Sequence, residues 1–427
     1  MANIAPSAEA AALSFGGEME LSPGQARAAL SGGEATFDGN IRTVASGRTG
    51  LKLIAETIAA DGPGTVLLPA YLCPSILQPF CEQNLPLAFY GVGEDLAIDT
   101  EHLRRQVAEL RPRAVLVIHY FGFPVVGLPS RAAAPDQVHD STAREAARPP
   151  GTVGTPRPGR RAPPRTAAED DPLSGAGSRP WLIEDCVQGS WMGDSPGVIG
   201  GVGDFVLTSF RKYLPVPDGG LVLCRAPGVV LPRLAPAAGG FVQRRMAGKV
   251  LRYRFLHEET GNRRLERAFL DRFQEAEAEI DHRVPRCGMS QLSLRLLNHL
   301  DIAGAVRQRR DNFRTLLDAV EGGTRLGDFC QPLFSCLPEG VSPLAFPVRV
   351  RGGARDRLRR ELAARRVFCP VHWALPEEVR AADFPQAHAI SADILSIPID
   401  QRYDTADMQD LLHRLNESAS ATMQNMA

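Results

Sequence analysis

No Cys-x-x-Cys pair and no cluster of histidines occurs in the 427 residues, although the chain carries eight cysteines. Structural zinc takes its ligands from closely spaced pairs, so the scatter of Cys73, Cys81, Cys186, Cys224, Cys287, Cys330, Cys336 and Cys369 argues against it, and no metal is expected. Reduced thiols packed as small hydrophobes are the simpler account. An excess of charge of either sign is also missing. Forty-eight Lys and Arg stand against 49 Asp and Glu, a formal charge of −1, so no global field gathers nucleic acid or an anionic membrane. No apolar run approaches the length of a bilayer span, and Met1 to Leu13 lacks a basic start followed by a long apolar stretch. These absences leave a cytoplasmic protein with a small-molecule substrate as the expectation.

What is present suffices for a large core. A 44% hydrophobic content over this length favours two or three domains. Between Thr65 and Cys224, the short apolar runs Thr65-Val-Leu-Leu-Pro, Leu87-Ala-Phe-Tyr and Ala114-Val-Leu-Val-Ile alternate with helix-like stretches. That alternation predicts strands buried on both faces of a parallel α/β sheet. Leu103, Val107 and Leu110 recur at helical spacing after Asp99 and Thr100, either of which can cap the helix. Trp181-Leu-Ile, Asp204-Phe-Val-Leu and Leu221-Val-Leu extend the sheet.

From 131 to 179 the composition turns to Pro, Arg, Ala, Gly and Thr, with Val138, Val153 and Leu173 the only large apolar residues. Such a segment cannot form a packed core and is expected to be a disordered surface insertion between two strands. The charged stretch Arg244 to Asp281 has apolar helical spacing at Leu251, Phe255, Leu265, Phe269 and Phe273. Beyond Gly288, helical segments such as Leu292 to Val320 and the strand Leu344-Ala-Phe-Pro-Val-Arg-Val predict a smaller α+β domain. The expected division is an N-terminal arm (1–40), a large domain (41–250), a helical linker (251–285) and a small C-terminal domain (286–427). No internal repeat of fixed period is apparent.

The chemistry concentrates where an apolar strand ends in two acids, Trp181-Leu-Ile-Glu-Asp-Cys-Val-Gln. It continues through Gly203-Asp-Phe-Val-Leu-Thr-Ser-Phe-Arg-Lys-Tyr to Asp218-Gly-Gly. Ligands of open α/β sheets bind beyond the carboxyl ends of the strands, which is where Asp185 falls. Ser46-Gly-Arg-Thr-Gly-Leu leads into Leu51, Ile54 and Ile58 at helical spacing, and a turn entering a helix offers unpaired N–H groups to an anion.

Taken together, Asp185-x-x-Gln188, Gly203-Asp204, Ser209-Phe210 before Lys212, and Gly219-Gly220 resemble the DegT/StrS family of fold-type-I aminotransferases. The Ser46 turn, Leu68-Pro-Ala-Tyr71, Ile118-His-Tyr-Phe-Gly, Pro370-Val-His-Trp and Ile394-Leu-Ser-Ile-Pro-Ile-Asp extend the resemblance over most of the chain. It implies a mixed, mostly parallel sheet in a three-layer α/β/α large domain with a smaller α+β C-terminal domain, and pyridoxal 5'-phosphate as cofactor. On that likeness Lys212 holds the cofactor as a Schiff base and then serves as general acid/base, while Asp185 pairs with the ring nitrogen. Gly47, Arg48 and Thr49 lie in the phosphate-binding turn, Ser209 is a further phosphate ligand, Gln188 donates to the phenolic oxygen, and Tyr71 lies beside the ring. The implied reaction carries an amino group from an amino acid to a keto-sugar or other small biosynthetic keto compound, in a homodimer with shared sites.

The chain departs from the family at several points. The serine stands three residues before the lysine instead of five, Cys73 falls where an aromatic residue covers the ring, and Pro217-Asp-Gly-Gly replaces Gly-Glu-Gly-Gly. The family's Asn-x-Arg element is echoed by Asp281-His-Arg283. The alternatives are another pyridoxal-phosphate reaction (elimination, decarboxylation or carbon–carbon bond formation) and a non-catalytic regulatory relative. A cysteine desulfurase would need a nucleophile at Cys330 or Cys336, where no motif supports one. His119, His282 and His372 read as structural histidines, with His372 the nearest to a functional setting.

Overall fold

The computed structural model describes residues 13–31, 40–128, 171–173, 179–189, 199–237 and 239–424. Its first half runs β1 (Phe15–Gly16), α1 (Pro23–Ser31), β2 (Ile41–Val44), α2 (Gly47–Ala60), β3 (Val66–Pro69) and α3 (Leu77–Cys81). Then come β4 (Leu87–Tyr90), α4 (Thr100–Leu110), β5 (Ala114–Ile118), β6 (Trp181–Asp185), β7 (Phe205–Ser209) and β8 (Gly220–Cys224). Six helices and strands follow as α5 (Gly239–His257), α6 (Arg263–His282), α7 (Gln291–Leu297), α8 (Ile302–Glu321), α9 (Arg325–Phe329) and β9 (Cys330–Pro332). The chain closes with β10 (Phe346–Val350), α10 (Arg355–Ala364), β11 (Val367–Phe368), α11 (Pro385–Asp393), β12 (Ile394–Ile397) and α12 (Thr405–Gln424).

Seven strands make the main sheet in the order β2-β8-β7-β6-β5-β3-β4. The five from β7 to β4 are parallel, as their unbroken apolar runs predict, whereas β8 runs antiparallel to β7 and β2 antiparallel to β8. Every residue of β3, β5 and β7 is buried. Asp99, not Thr100, caps α4, its carboxylate accepting from the His102 amide. The helical run predicted from Leu292 to Val320 is two helices, because Asp301 turns back to cap α8 through the Gly304 amide. The helical segment after the sheet begins at Gly239, so α5 crosses residue 250 unbroken and packs along α6 as one hairpin.

A second sheet, β12-β10-β9, is antiparallel and packs with α10 and α12 in the C-terminal part. The N-terminal strand β1 pairs with β11 of that part, and Arg414 fixes it by donating to the Leu13 carbonyl. Of the predicted insertion, 131–170 and 174–178 lie outside the described residues. Leu173 is a correction to that reading: it is fully buried in the main core, so the segment adds one side chain to it.

Candidate active site

β6 ends in Glu184 and Asp185, and strand alternation sends these neighbours to opposite faces. Glu184 is structural. Its carboxylate accepts from His119 Nε2 at 3.0 Å, from the Val202 amide at 2.6 Å and from the Gly203 amide. His119 Nδ1 in turn accepts from the Val125 amide, which puts the ring proton on Nε2. Burial opposes ionisation of Glu184, yet the bonds from His119 and the two amides outweigh it and hold the carboxyl below its usual range. His119, Glu184 and Cys186 bring their ligand atoms within 4.8 Å of one another. The His119 nitrogens and both Glu184 oxygens are already bonded within the protein. Glu184→Ala is expected to cost about 3 kcal/mol, because it strands buried donors on His119 and two amides. Denaturant unfolding would measure this, and a loss under 1 kcal/mol would contradict it.

Asp185 faces the other way. It is 1% exposed, and its Oδ1 accepts from the Val187 amide at 2.9 Å. Among the described residues no other donor meets this carboxylate. Burial pushes its pKa up, against the opposing pull of the Val187 amide, the Lys212 charge and His119. The same Val187 bond turns the chain so that Gln188 folds under the site. Gln188 Oε1 accepts from the Phe121 amide at 3.0 Å, while its buried Nε2 has no partner among the described residues.

Lys212 ends the single helical turn Phe210–Lys212 that follows β7, next to β6 in the sheet. Its side chain opens onto a cavity of about 1050 Å³, so its accessible surface is cavity wall. Among the described residues its amine makes no hydrogen bond or ion pair. Surrounding protein lowers its pKa by desolvation; Cys73 and Asp185 act to raise it, while Arg211 and Arg48 lower it further. Asp185 and Lys212 therefore lie within reach of one another's charge.

Two glycines fix this arrangement. Gly219 has φ +123°, and a Cβ there would strike Met289 at 2.5 Å. Its carbonyl accepts from the Phe210 amide and its own amide donates to Ala45, tying the Lys212 turn to the end of β2. A Cβ at Gly220 would lie 2.3 Å from the Thr208 carbonyl oxygen. Asp218 supports the pair by accepting from the Ser290 amide at 2.8 Å and the Ser290 hydroxyl at 2.6 Å.

Immediately after Ala45, the Ser46 hydroxyl caps α2 by accepting from the Thr49 amide at 3.1 Å. The amides of Gly47 and Arg48 have no acceptor among the described residues and sit at the positive end of the helix. A Cβ on Gly47 would come within 3.1 Å of Val187 Cγ1 and 3.8 Å of Ser209 Cβ, so the turn, the Asp185 loop and Ser209 converge. The Arg48 guanidinium, however, turns away to α6, where it bonds Glu277 at 3.1 Å and also Asp281. Asp281 of the Asp281-His-Arg283 echo is thus engaged within the same chain, and Arg283 lines a separate cavity.

The opposite side is aromatic and apolar. The buried Tyr71 ring lies 5.6 Å from Tyr120 and 5.5 Å from Trp373, and its hydroxyl, beside the Trp373 backbone, has no well-formed hydrogen bond among the described residues. Cys73 Sγ lies 3.1 Å from the Ser75 hydroxyl. His372 lines the Lys212 cavity and meets the Ser396 hydroxyl at 2.8 Å. Burial, with Lys212 adding to it, pushes its pKa down to about 3. The unfolded chain therefore takes up this proton below about pH 6.5 while the folded chain does not, and stability falls as pH drops from there toward 3. Between pH 6.5 and 5 this histidine alone accounts for about 2 kcal/mol. Urea melts at the two pH values should show His372→Gln losing less stability than the wild type; an equal loss would refute the assignment. His282 lines the second cavity instead.

Sequence reasoning missed the ion-pair network beside the site. Glu277 Oε1 accepts from Arg211 at 2.8 Å and Arg245 at 2.6 Å, and Arg245 also reaches Glu18 at 2.6 Å. These residues come from β1's flank, the Lys212 turn, α5 and α6, so no local spacing could have announced them.

A three-layer α/β domain with a lysine and a buried acid at neighbouring strand ends, joined to a smaller domain with an antiparallel sheet, is the architecture of the fold-type-I pyridoxal-phosphate transferases. Solved structures with that fold superpose over nearly the whole chain. Spr1654 of Streptococcus pneumoniae, provisionally named a sugar aminotransferase and solved in its PMP form, matches with a TM-score of 0.60 at 13% identity, covering 97% of this chain and 100% of its own. The sugar aminotransferase CalS13 of Micromonospora echinospora gives 0.54 at 18% identity, over 94% and 98% of the two chains. A DegT DnrJ EryC1 StrS aminotransferase of Brucella abortus gives 0.51 at 17%, over 93% and 91%. No family model matches the sequence, and no curated protein matches it significantly.

Proposed function

We propose that this chain is a pyridoxal-phosphate-dependent aminotransferase that moves an amino group from an amino-acid donor to a keto-sugar or a similar small biosynthetic keto compound. The observation that carries the proposal is that Lys212 and Asp185 feel one another's charge beside a fully buried Gln188 Nε2 that has no partner among the described residues. An orphaned buried donor costs stability unless a ligand meets it. A phenolate-bearing, phosphorylated pyridine accounts for the donor, the free lysine, the buried acid and the open amides of Gly47 and Arg48 together. The cofactor, once bound, supplies an electron sink for the substrate carbon.

Each residue then has a task of its own. Lys212, whose pKa is lowered by desolvation, would hold the cofactor covalently and afterwards carry the proton at its Nζ. Asp185 would fix a proton on the ring nitrogen. Gln188 would donate from Nε2 to the phenolic oxygen. Ser46 holds the α2 terminus so that the Gly47 and Arg48 amides, with Thr49 and Ser209 beside them, would take the phosphate. Tyr71 would flank the ring together with Cys73. The Arg48 guanidinium is given the task of anchoring α6, since Glu277 and Asp281 occupy it.

The keto-sugar assignment rests on what Spr1654 and CalS13 are named for. We further propose a homodimer, with the domain division 1–40, 41–250, 251–285 and 286–427 carried over from the sequence except that the linker begins with α5 at Gly239. Among the described residues no helix is long and apolar enough to cross a membrane. All eight cysteines are free, which favours a reducing cytoplasm. The test is a screen of keto acceptors with glutamate as donor, read as 2-oxoglutarate release and aminated product by mass spectrometry. Release of carbon dioxide or an elimination product instead would replace transamination by another reaction of the same cofactor.

A further inference from the structure

The charges around the Lys212 cavity do not cancel, and the remainder lies on one wall. Glu277 and Glu18 are neutralised by Arg211, Arg245 and Lys249. Asp400 accepts from Arg402 at 2.6 Å, and Asp356 from Arg355 at 2.6 Å. Arg309 is spent on Gln401 at 2.8 Å, on the Leu344 carbonyl at 2.8 Å and on the Tyr213 ring.

Two arginines remain. Arg359 uses only Nε, donating to the Cys369 carbonyl at 3.2 Å, and its terminal amino groups have no partner among the described residues. Arg360 has none at all there. Both belong to α10, whose Leu358 and Leu362 are buried. Asp356, Arg359, Arg360 and Ala363, spaced i, i+3, i+4 and i+7, form the helix face that lines the cavity. On the same wall Phe368 of β11 is 49% exposed, a large apolar ring turned to the cavity instead of the core.

We infer that Arg359 and Arg360 recognise a phosphate or carboxylate group carried by the keto substrate, with Phe368 as the apolar contact for the ring of the same molecule. A pair of guanidinium groups presents planar, directed donors that match either oxyanion, and exposed arginines with unused donors beside an aromatic ring suit a charged ring compound better than a neutral one. The inference rests on the aminotransferase reading for the word substrate. The anion site itself stands without it.

The full-length protein would be titrated calorimetrically at low salt with a hexose 1-phosphate, a hexuronate and the neutral hexose, with and without pyridoxal phosphate. At least one anion should bind at least about tenfold more tightly than the hexose, with affinity falling as salt rises. The preferred anion identifies the source as phosphate or carboxylate. Arg359→Gln together with Arg360→Gln should weaken that anion about 100-fold, roughly tenfold for each charge-assisted hydrogen-bonding group removed, and leave hexose binding unchanged. Lysine at both positions should recover part of the loss. Circular dichroism of the variants tests the fold, and a single-arginine variant replaces any that unfolds. The inference is overturned if neither anion binds the wild type, if anion and hexose bind alike, or if the double variant keeps wild-type anion affinity. Cofactor attachment to Lys212 is followed separately by absorbance, so a protein that binds the anion but never the cofactor sinks the aminotransferase reading alone.

Discussion

Lys212→Ala is expected to lower turnover by about 10⁴-fold or more, since it would remove both the proposed covalent anchor and the proposed proton carrier. Borohydride reduction of the wild-type protein with cofactor should fix the label on Lys212, and peptide mapping should find none in the variant. Label on another lysine would refute the site. The variant should still bind the cofactor reversibly, because the Gly47 and Arg48 amides and Gln188 are untouched. Its stability without cofactor should not fall. Desolvation lowers the pKa of Lys212, so the folded state holds this ammonium less well than the unfolded one does. Removing it relieves that cost, and a markedly lower melting temperature would argue for a structural lysine instead.

Asp185→Asn carries the second large effect. The amide keeps the shape of the side chain and can still accept from the Val187 amide, but it brings no negative charge to the ring nitrogen. Cofactor attachment should survive while turnover drops by about 10² to 10³-fold, the scale of losing one preorganised electrostatic partner. The stability change has the opposite sign. Burial raises the pKa of Asp185, so the folded chain binds its proton more readily than the unfolded chain, and near pH 7 the ionised carboxylate weighs against folding. The asparagine variant should therefore melt no lower than the wild type while losing activity. That combination marks a site kept for function at some cost in stability. A variant that loses both together would show that Asp185 serves the fold.

The Arg48 environment shows how the site differs from the one the sequence suggests. The turn from Ser46 to Gly50 is legible because capping and helix entry are local, and Ser46 does cap α2. The destination of the Arg48 guanidinium is not legible. It depends on Glu277 and Asp281, 229 and 233 residues away, being delivered by the α5–α6 hairpin. Ser209, set at an unexpected spacing from Lys212, is nonetheless brought to within van der Waals distance of where a side chain on Gly47 would lie.

The sequence by itself determined the parts governed by neighbours along the chain. Apolar runs specified strands, because a strand buried on both faces needs no polar alternation; the helix starts near Asp99–Thr100 and Ser46–Gly50 were marked too, because a cap reaches amides only three residues on, although it took the structure to choose Asp99 over Thr100. The order of acid, serine, lysine and paired glycines likewise lay in the open. Only the tertiary structure decided which of two adjacent acids is left within reach of the Lys212 charge, which arginines are already paired, and which two on α10 are left over. Those outcomes depend on charges and hydrogen-bond partners brought together from distant segments, and spacing along one strand cannot report a Coulomb interaction across a fold.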